Sequence, residues 1–470
     1  MPVTYALSAF DALPAEAIGA FQERLLRTQL AYCYEHSTFY RRKFDSLGLR
    51  PQDVRTLDDL RRLPILMSKE EERQSAVDSL EAEGHPFGMH LCARAEDLYL
   101  TATTSGTTGT PTFTYTFTRA DMDVLSEAVS HRYRTVGARP GDRMFFCYAL
   151  GIYATSLSLA GIRRAGILPI DVDVRAGSRT ILEMLALTRP RWLACTPSLA
   201  EHLAARAPEI LRKDVRELRL EGLFLTGETW ATIPGLKQKL EGLYGCRAFD
   251  FWTPAGHACG ISCDSDDYHG LHGIAPQLCT SFQDLVDPVS KTPVAIANGA
   301  IGEMVHTSLQ RQACPAVKYA YGDVVRLLLE ECPGCGFRGP RIKVLGRADD
   351  MLIVKGVNVY PTAIKAVVST FVPSVTGDMR ILLDVPPPRV EPPLRLKIEH
   401  GTAVATHDLP ALAERIRSAL HDKLRITPDI VFVPPDTFEK STRKTPIFEK
   451  TYCGSGGVAG ANKGGCGGRI

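Results

Sequence analysis

The sequence predicts a large α/β N-terminal domain built from βα units on mainly parallel sheets, followed by a smaller α+β C-terminal domain. At 470 residues, 44% of them hydrophobic, the chain can bury a large core and divides into two or more domains. From Arg119 onward, helical apolar patterns (Ala120–Tyr133, Ile181–Leu187, Ser198–Ala205) alternate with short apolar runs (Met144–Tyr148, Trp192–Cys195, Gly222–Leu225). That alternation places helices between parallel strands. Near Gly346 the rhythm changes: a charged break, a β-like run and a turn in GRADDMLIVKGVNVYP open a compact α+β segment.

Taken in order, residues 20 to 45 carry helical apolar spacing, and Leu60–Pro64 leads into the charged stretch MSKEEER, read as a surface helix. After the C-terminal break come a helix (Tyr360–Phe371), a strand (Arg380–Leu383), a proline-rich loop (Pro386–Pro393) and another strand. A helix (Leu409–Leu424) and a last strand (Ile430–Val433) follow. Residues 454 to 470 hold eight glycines in 17 residues and cannot bury a core, which predicts disorder. The domains are therefore 1–348, 349–452 and a Gly-rich tail over 453–470.

Composition excludes several function classes. With 55 basic and 53 acidic residues there is no polyanion-binding surface, so nucleic acid is not expected as a partner. The N-terminal stretch lacks a basic region followed by an apolar core, and no run of about 18 apolar residues occurs, so no membrane partner is expected and the protein reads as cytoplasmic. The 13 cysteines, mostly isolated in apolar context as at Cys147 and Cys195, fit reduced buried thiols.

The most informative stretch is TTSGTTGTPT, residues 103 to 112, shortly after the apolar run Leu98–Leu100. Gly106 and Gly109 permit backbone angles other residues resist, letting consecutive N–H groups converge on phosphate oxygens. Thr104, Ser105, Thr107 and Thr108 add hydroxyl donors. No Lys-Ser/Thr pair closes this loop, which separates it from the GxxxxGK[ST] phosphate loop.

Several motifs, in order, resemble the adenylate-forming superfamily and, within it, the phenylacetate-coenzyme A ligase family, over about residues 20 to 452. They are YRRKFDSLGLRPQDVRTLDDLRRLPI, TSGTTGTPT, TGETW (Thr226–Trp230), YGDVVRL (Tyr321–Leu327) and GRADDMLIVKGVNVYP (Gly346–Pro361). The resemblance implies an ATP-binding N-terminal domain and a mobile C-terminal cap. It also implies a two-step reaction in which carboxylate and ATP give an acyl-adenylate and pyrophosphate, and coenzyme A then displaces AMP. Magnesium is the implied metal, and a homodimer the implied assembly.

By this resemblance Asp323 accepts both ribose hydroxyls, as an acceptor-only carboxylate can. Glu228, Trp230, Trp252 and Thr253 fall near the nucleotide, Arg347 contacts the ribose, and Asp349 is the hinge. Gly356 lines the thiol tunnel, where a residue without a side chain suits a narrow passage. Attack of a carboxylate on the α-phosphorus brings two anions together and needs fixed positive charge. Lys444 of FEKSTRKTPIFEK matches the family's catalytic lysine, with Lys440 and Lys450 as competitors. Phe145, Phe146, Tyr148, Gly151 and Tyr153 fall where the family lines its acyl pocket, with His257 facing the adenylate, which points to an aryl or arylacetic acid.

Two positions depart from the family pattern. Thr110 stands where a lysine usually precedes proline in the phosphate loop, and Gly256 stands where a magnesium-holding Glu is expected, with Asp264 or Glu228 as substitutes acting through water. Separately, Cys332-Pro333-Gly334-Cys335 forms a Cys-x2-Cys knuckle able to point two thiolates at one Zn²⁺, with Cys263 and either His269 or His272 completing a tetrahedral structural site. The sequence thus supports an ATP-dependent acid-coenzyme A ligase. It leaves open an adenylating enzyme serving an amine or a carrier protein, and a catalytically impaired nucleotide- and acid-binding homologue.

Overall fold

The computed structural model describes residues 15–103, 112–151, 154–355, 357–385, 387–390, 392–438 and 447–451. The chain divides into two compact units, the first ending at Asp349 and the second beginning at Asp350.

The strands of the first unit are β1 (Met67–Ser68), β2 (Leu98–Ala102), β3 (Tyr115–Thr118), β4 (Arg143–Tyr148), β5 (Leu168–Asp173), β6 (Trp192–Cys195) and β7 (Gly222–Leu225). They continue with β8 (Arg247–Trp252), β9 (Cys259–Ile261), β10 (Leu271–Ile274), β11 (Leu285–Val286), β12 (Ile301–His306), β13 (Tyr319–Leu328) and β14 (Arg341–Arg347). Twelve of them form one sheet in the order β11-β12-β13-β14-β10-β9-β8-β7-β6-β4-β5, with β1 alongside β13. From β5 to β8 the pairing is parallel, as the helix-strand alternation predicts. Beyond Trp252 the sheet turns antiparallel through β9, β10, β14, β13, β12 and β11, whose connections hold short 3-10 turns but no α-helix to announce their direction. The strands flanking the hydroxyl-rich loop, β2 and β3, pair separately as a ribbon.

Alternation along the parallel strands fills two cores. Met144, Phe146, Trp192, Phe224, Phe249 and Phe251 face the helices Arg119–Thr135 and Thr155–Arg164. Phe145, Cys147, Leu193, Cys195, Leu223 and Ala248 face the other side, with Gly177–Thr188, Pro197–Leu211 and Leu236–Tyr244. Successive strand residues point to opposite faces, so Phe146 packs in the first core and Phe145 in the second, as ordinary sheet core, a role the apolar run Met144–Tyr148 fits as well as an acyl-pocket one.

The MSKEEER segment begins a helix at Lys69 that runs to Glu83, with Ser68 and Glu71 forming a capping box. It is not a purely solvated surface helix. Glu72, Ser75 and Ser79 are buried, and Glu72 accepts a 2.6 Å hydrogen bond from the Tyr319 hydroxyl. A polar inward face carries no apolar periodicity, which is why the sequence presents it as surface.

The second unit contains a sheet made from Val375–Leu383, Arg395–His400, Asp429–Val433 and Phe448–Lys450, and a smaller one made from Leu352–Val354, Val357–Val359 and Arg389–Val390. Helices Pro361–Ser369 and Leu409–Leu424 cover an apolar core that includes Ile364, Val368, Ile381, Leu396, Ile416 and Leu420. This is the α+β segment the sequence predicts, the first strand starting earlier, at Val375.

Candidate functional site

Of the sequence-predicted site residues, Thr104, Ser105, Gly106, Thr107, Thr108, Gly109, Tyr153, Gly356, Lys444 and Lys440 lie outside the described residues. Lys450, at the end of the strand Phe448–Lys450, belongs to the second unit; the others lie in the first, most of them in three groups.

The first group is built by β8, β13 and β14. Asp323 and Arg347 are direct register partners across the β13–β14 ladder. Arg347 Nη1 donates to Asp323 Oδ1 at 2.9 Å, and Trp252 Nε1, at the end of β8, donates to Asp323 Oδ2 at 3.1 Å. Each carboxylate oxygen thus has one lone pair spoken for and one left to accept a further donor. Gly322, at φ +101°, lets the Arg347 guanidinium lie against the backbone, where an added Cβ would meet Nη2 at 2.7 Å, and Nη2 donates to the Tyr321 carbonyl at 2.7 Å. Arg347 Nε reaches Asp349 at 3.0 Å, and Lys69 reaches the other Asp349 oxygen at 2.9 Å. Burial works against the Arg347 charge, but Asp323 and Asp349 outweigh it and raise its pKa further. Lys69 is a site residue that the sequence does not reveal, since its partner lies 280 residues away.

The second group lies around the recess at Gly256, lined by Asp121, Leu125, Gly256, His257, Ser308 and Arg311. Gly256 adopts φ +70°, and a Cβ there would come within 3.1 Å of Phe117. A side chain here would be strained by the left-handed backbone and would need the Phe117 ring to give way, which gives a physical account of the absent Glu. Asp121 cannot replace it, because its carboxylate already accepts from the N–H groups of Thr118, Gln312 and Ala313. Asp264 pairs with Arg247, and Glu228 accepts from the Ser198 hydroxyl at 2.6 Å. The residues here do not fit a protein-held magnesium. The fixed charge is instead a cation: buried Arg311 donates to the carbonyls of Thr114 and Thr116, at 3.1 and 3.2 Å, on the chain leaving the hydroxyl-rich loop. Its Nη1 lies 3.1 Å from His257 Nδ1. Burial, assisted by Arg311, holds His257 well below the usual imidazole range and therefore neutral. His257 stacks on His306, with centroids 5.7 Å apart.

Tyr148, at the end of β4, donates to the Cys195 carbonyl at 2.8 Å, and Gly151 adopts φ +96° with open space beside it. Thr253 accepts a 2.8 Å hydrogen bond from Arg132. Trp230 is buried and donates to Asp250 at 2.9 Å.

The third group is the cysteine knuckle. The ligand atoms of Cys263, His272, Cys332 and Cys335 all lie within 4.8 Å of one another. Cys263 Sγ is 3.9 Å from Cys332 Sγ, and Cys335 Sγ is 3.3 Å from His272 Nε2. Tetrahedral Zn–S bonds of about 2.3 Å place sulfurs about 3.8 Å apart, so the quartet fits a zinc ion. His272 Nδ1 lies 3.0 Å from the Ile261 carbonyl, an outer contact that would fix the ring with Nε2 toward the thiols. Of the two histidines, His272 is the one whose ring nitrogen lies with the three thiols. His269 packs against the knuckle instead, so close that a Cβ at Gly334 would meet its ring at 2.6 Å.

Residues 356–449 match a family model described as the AMP-binding enzyme C-terminal domain. Over 455 residues the chain is 31% identical to a phenylacetate-coenzyme A ligase of Thermus thermophilus, covering 92% of this chain and 96% of the relative. A phenylacetate-coenzyme A ligase of Escherichia coli is 27% identical, with 78% of this chain and 79% of the relative covered. Among solved structures, a 2-hydroxyisobutyryl-CoA ligase in the postadenylation state superposes with a TM-score of 0.80 at 25% identity, covering 94% of this chain and 91% of that one.

Proposed function

Because the chain belongs to the phenylacetate-coenzyme A ligase family, we propose that it activates a carboxylic acid with ATP as an acyl-adenylate and transfers the acyl group to coenzyme A. The observation that carries this reading is the convergence of Trp252 with Asp323 and Arg347: the end of β8 and the β13–β14 hairpin present one carboxylate with, among the described residues, a free acceptor position on each oxygen, which suits a ribose diol. Arg347 orients that carboxylate, and Lys69 with Asp349 holds Arg347. Arg311 pins the backbone at Thr114 and Thr116, downstream of the hydroxyl-rich loop whose Thr104, Ser105, Thr107 and Thr108 we assign to the phosphates. Lys444 supplies the mobile charge that bridges carboxylate and α-phosphate, Asp349 is the hinge, and Gly356 lines the path of the thiol. Magnesium enters with the nucleotide, held by phosphate oxygens and water and not by a carboxylate at position 256.

The aryl or arylacetic class of acid is supported by the likeness to phenylacetate-coenzyme A ligases of Thermus thermophilus and Escherichia coli. Free thiols at every described cysteine agree with a cytoplasmic setting, and no helix among the described residues is long and apolar enough to cross a membrane. Structural zinc at Cys263, His272, Cys332 and Cys335 is part of the same reading. It supplies a cross-link between segments, with no role in the chemistry.

The test is acid-dependent ATP-pyrophosphate exchange across a panel of aryl, arylacetic and short aliphatic acids, followed by product analysis with and without coenzyme A. Exchange plus a coenzyme A thioester is the expected result. Exchange with transfer only to amines or a carrier protein would reassign the acceptor, and nucleotide binding with no exchange on any acid would reject the ligase reading.

A further inference from the structure

Arg132 is the one arginine of the helix Arg119–Thr135 that is wholly shut off from solvent, at 0% exposure. Met122, Leu125, Val129 and Arg132 follow one another at helical spacing, so a guanidinium occupies a position on the apolar face that packs against the sheet. Among the described residues no carboxylate lies within ion-pairing distance of it. Its Nη2 donates to the Tyr133 hydroxyl at 3.0 Å, its charge rests 4.2 Å from the Phe251 ring centroid and 4.9 Å from that of Tyr133, and its Nε is buried with no acceptor. A buried cation without a carboxylate partner is costly.

Its Nη1 donates to Thr253 Oγ1 at 2.8 Å. Arginine has no acceptor, so this bond cannot be reversed: Thr253 must accept from Arg132, and its own O–H proton must point elsewhere. Among the described residues nothing accepts that proton. Unlike Arg132, Thr253 is only partly covered. The direction in which it faces follows from strand alternation. Trp252 points to the side of Asp323, while Phe251 and Thr253 point to the opposite side, toward Arg132. Tyr148 packs against the same core as Phe251, its hydroxyl 3.5 Å from the carbonyl of Phe224, whose ring meets that of Tyr133 edge-on at 5.0 Å. The pair thus lies on the Tyr148 side of the sheet, the side the family resemblance gives to the acid, and not beside Asp323.

We propose that Arg132 is a positioning residue that fixes Thr253 as an obligate donor toward an oxygen on the acyl part of the acid, so that the enzyme selects acids bearing a second oxygen function over their plain hydrocarbon counterparts. This rests on the ligase reading. A hydroxyl and a second carboxylate offer the same acceptor chemistry. The buried positive charge behind Thr253 favours the anion more strongly.

The experiment compares an arylacetic acid with its ring-hydroxylated and ring-carboxylated analogues, for the full-length protein and for Thr253→Val, Arg132→Met, Arg132→Lys and the double variant Thr253→Val/Arg132→Met. The readouts are kcat/KM in pyrophosphate exchange and the thermal shift each acid induces. The expected result is a preference for an oxygen-bearing acid of at least about tenfold, as one hydrogen bond to a charge-backed donor supplies. That ratio collapses in Thr253→Val and Arg132→Met, falls no further in the double variant, and is partly restored in Arg132→Lys. An unchanged ratio in isosteric Thr253→Val overturns the proposal even if Arg132→Met fails to fold. Exchange with the plain acid but no preference for either analogue overturns the inference and leaves the ligase reading standing. No exchange on any acid removes the ligase reading, and the thermal-shift ratio then decides the donor assignment by itself: equal shifts from all three acids overturn it.

Discussion

Asp323 and Arg347 face each other across the β13–β14 ladder, and the 2.9 Å bond between Nη1 and Oδ1 joins two residues that the sequence separates by 24 positions. The pairing fixes which carboxylate lone pairs remain for a ligand. Asp323→Asn should keep the fold while replacing one acceptor oxygen by a donor. Affinity for AMP should fall by tenfold or more, since a hydrogen bond to a charged group contributes about 1.5–3 kcal/mol. Calorimetric titration of AMP measures it, and unaltered affinity would remove Asp323 from the nucleotide site.

The knuckle predicts about one zinc per chain in protein purified without added metal. Cys332→Ser or Cys335→Ser should lose the metal and lower the melting temperature, while His269→Ala should retain it. Metal analysis of the three variants separates His272 from His269 as the fourth ligand. Full metal content in Cys332→Ser would exclude the site.

Burial lifts the Asp250 carboxyl to about 7, partly offset by the hydrogen bonds from Tyr268 and Trp230. In the unfolded chain the same group ionises near 4. Between those values the folded state keeps a proton that the unfolded state releases, so this group's contribution to stability is full below about pH 4 and is lost as pH rises through about 7. Asp250→Asn cannot ionise. The melting temperature of the wild type relative to this variant should decline from pH 4 to pH 7 and then level off; a constant difference would show that Asp250 does not titrate in that window.

Lys318 and Asp284 form an ion pair with both side chains almost wholly buried, at 3.0 Å. Lys318→Met strands the carboxylate and should cost about 3–5 kcal/mol of unfolding free energy. Lys318→Met/Asp284→Leu should recover most of that loss, because removing both charges leaves nothing unpaired. Denaturant titration of both variants checks the order.

Gly256→Glu restores the acidic residue of the family pattern but should not restore a function to it. The φ of +70° and the 3.1 Å approach of Phe117 oppose any side chain there, so the variant should unfold at lower temperature and show no gain in magnesium affinity. A stable variant that binds magnesium more tightly would contradict the account of the recess.

The parallel half of the sheet is legible in the sequence because each strand is followed by a helix of different period, and Met144–Tyr148 or Trp192–Cys195 can be read almost to the residue. The antiparallel half is not, since β9 and β11 span three and two residues and depend on neighbours for their pairing. Within the site, Asp323, Arg347 and the cysteine knuckle stand in compact motifs and are found locally. Lys69, Arg311 and His306 sit in unremarkable surroundings and acquire meaning only from distant partners. Arg132 does leave a local trace, a charge at the i+3 step of an apolar helical stripe, a signal the helical pattern Ala120–Tyr133 passes over.

The knuckle and the nucleotide anchor share one hairpin. Cys332 and Cys335 occupy the connection between β13 and β14, and Asp323 with Arg347 closes the opposite end of the same ladder, beyond the Leu328–Arg341 pair. Five residue steps of about 3.4 Å set the two ends about 17 Å apart. Both strands are interior to the twelve-stranded sheet, β13 flanked by β12 and β14 flanked by β10, so the ladder between the two ends is braced on either side and neither end stands on the hairpin alone.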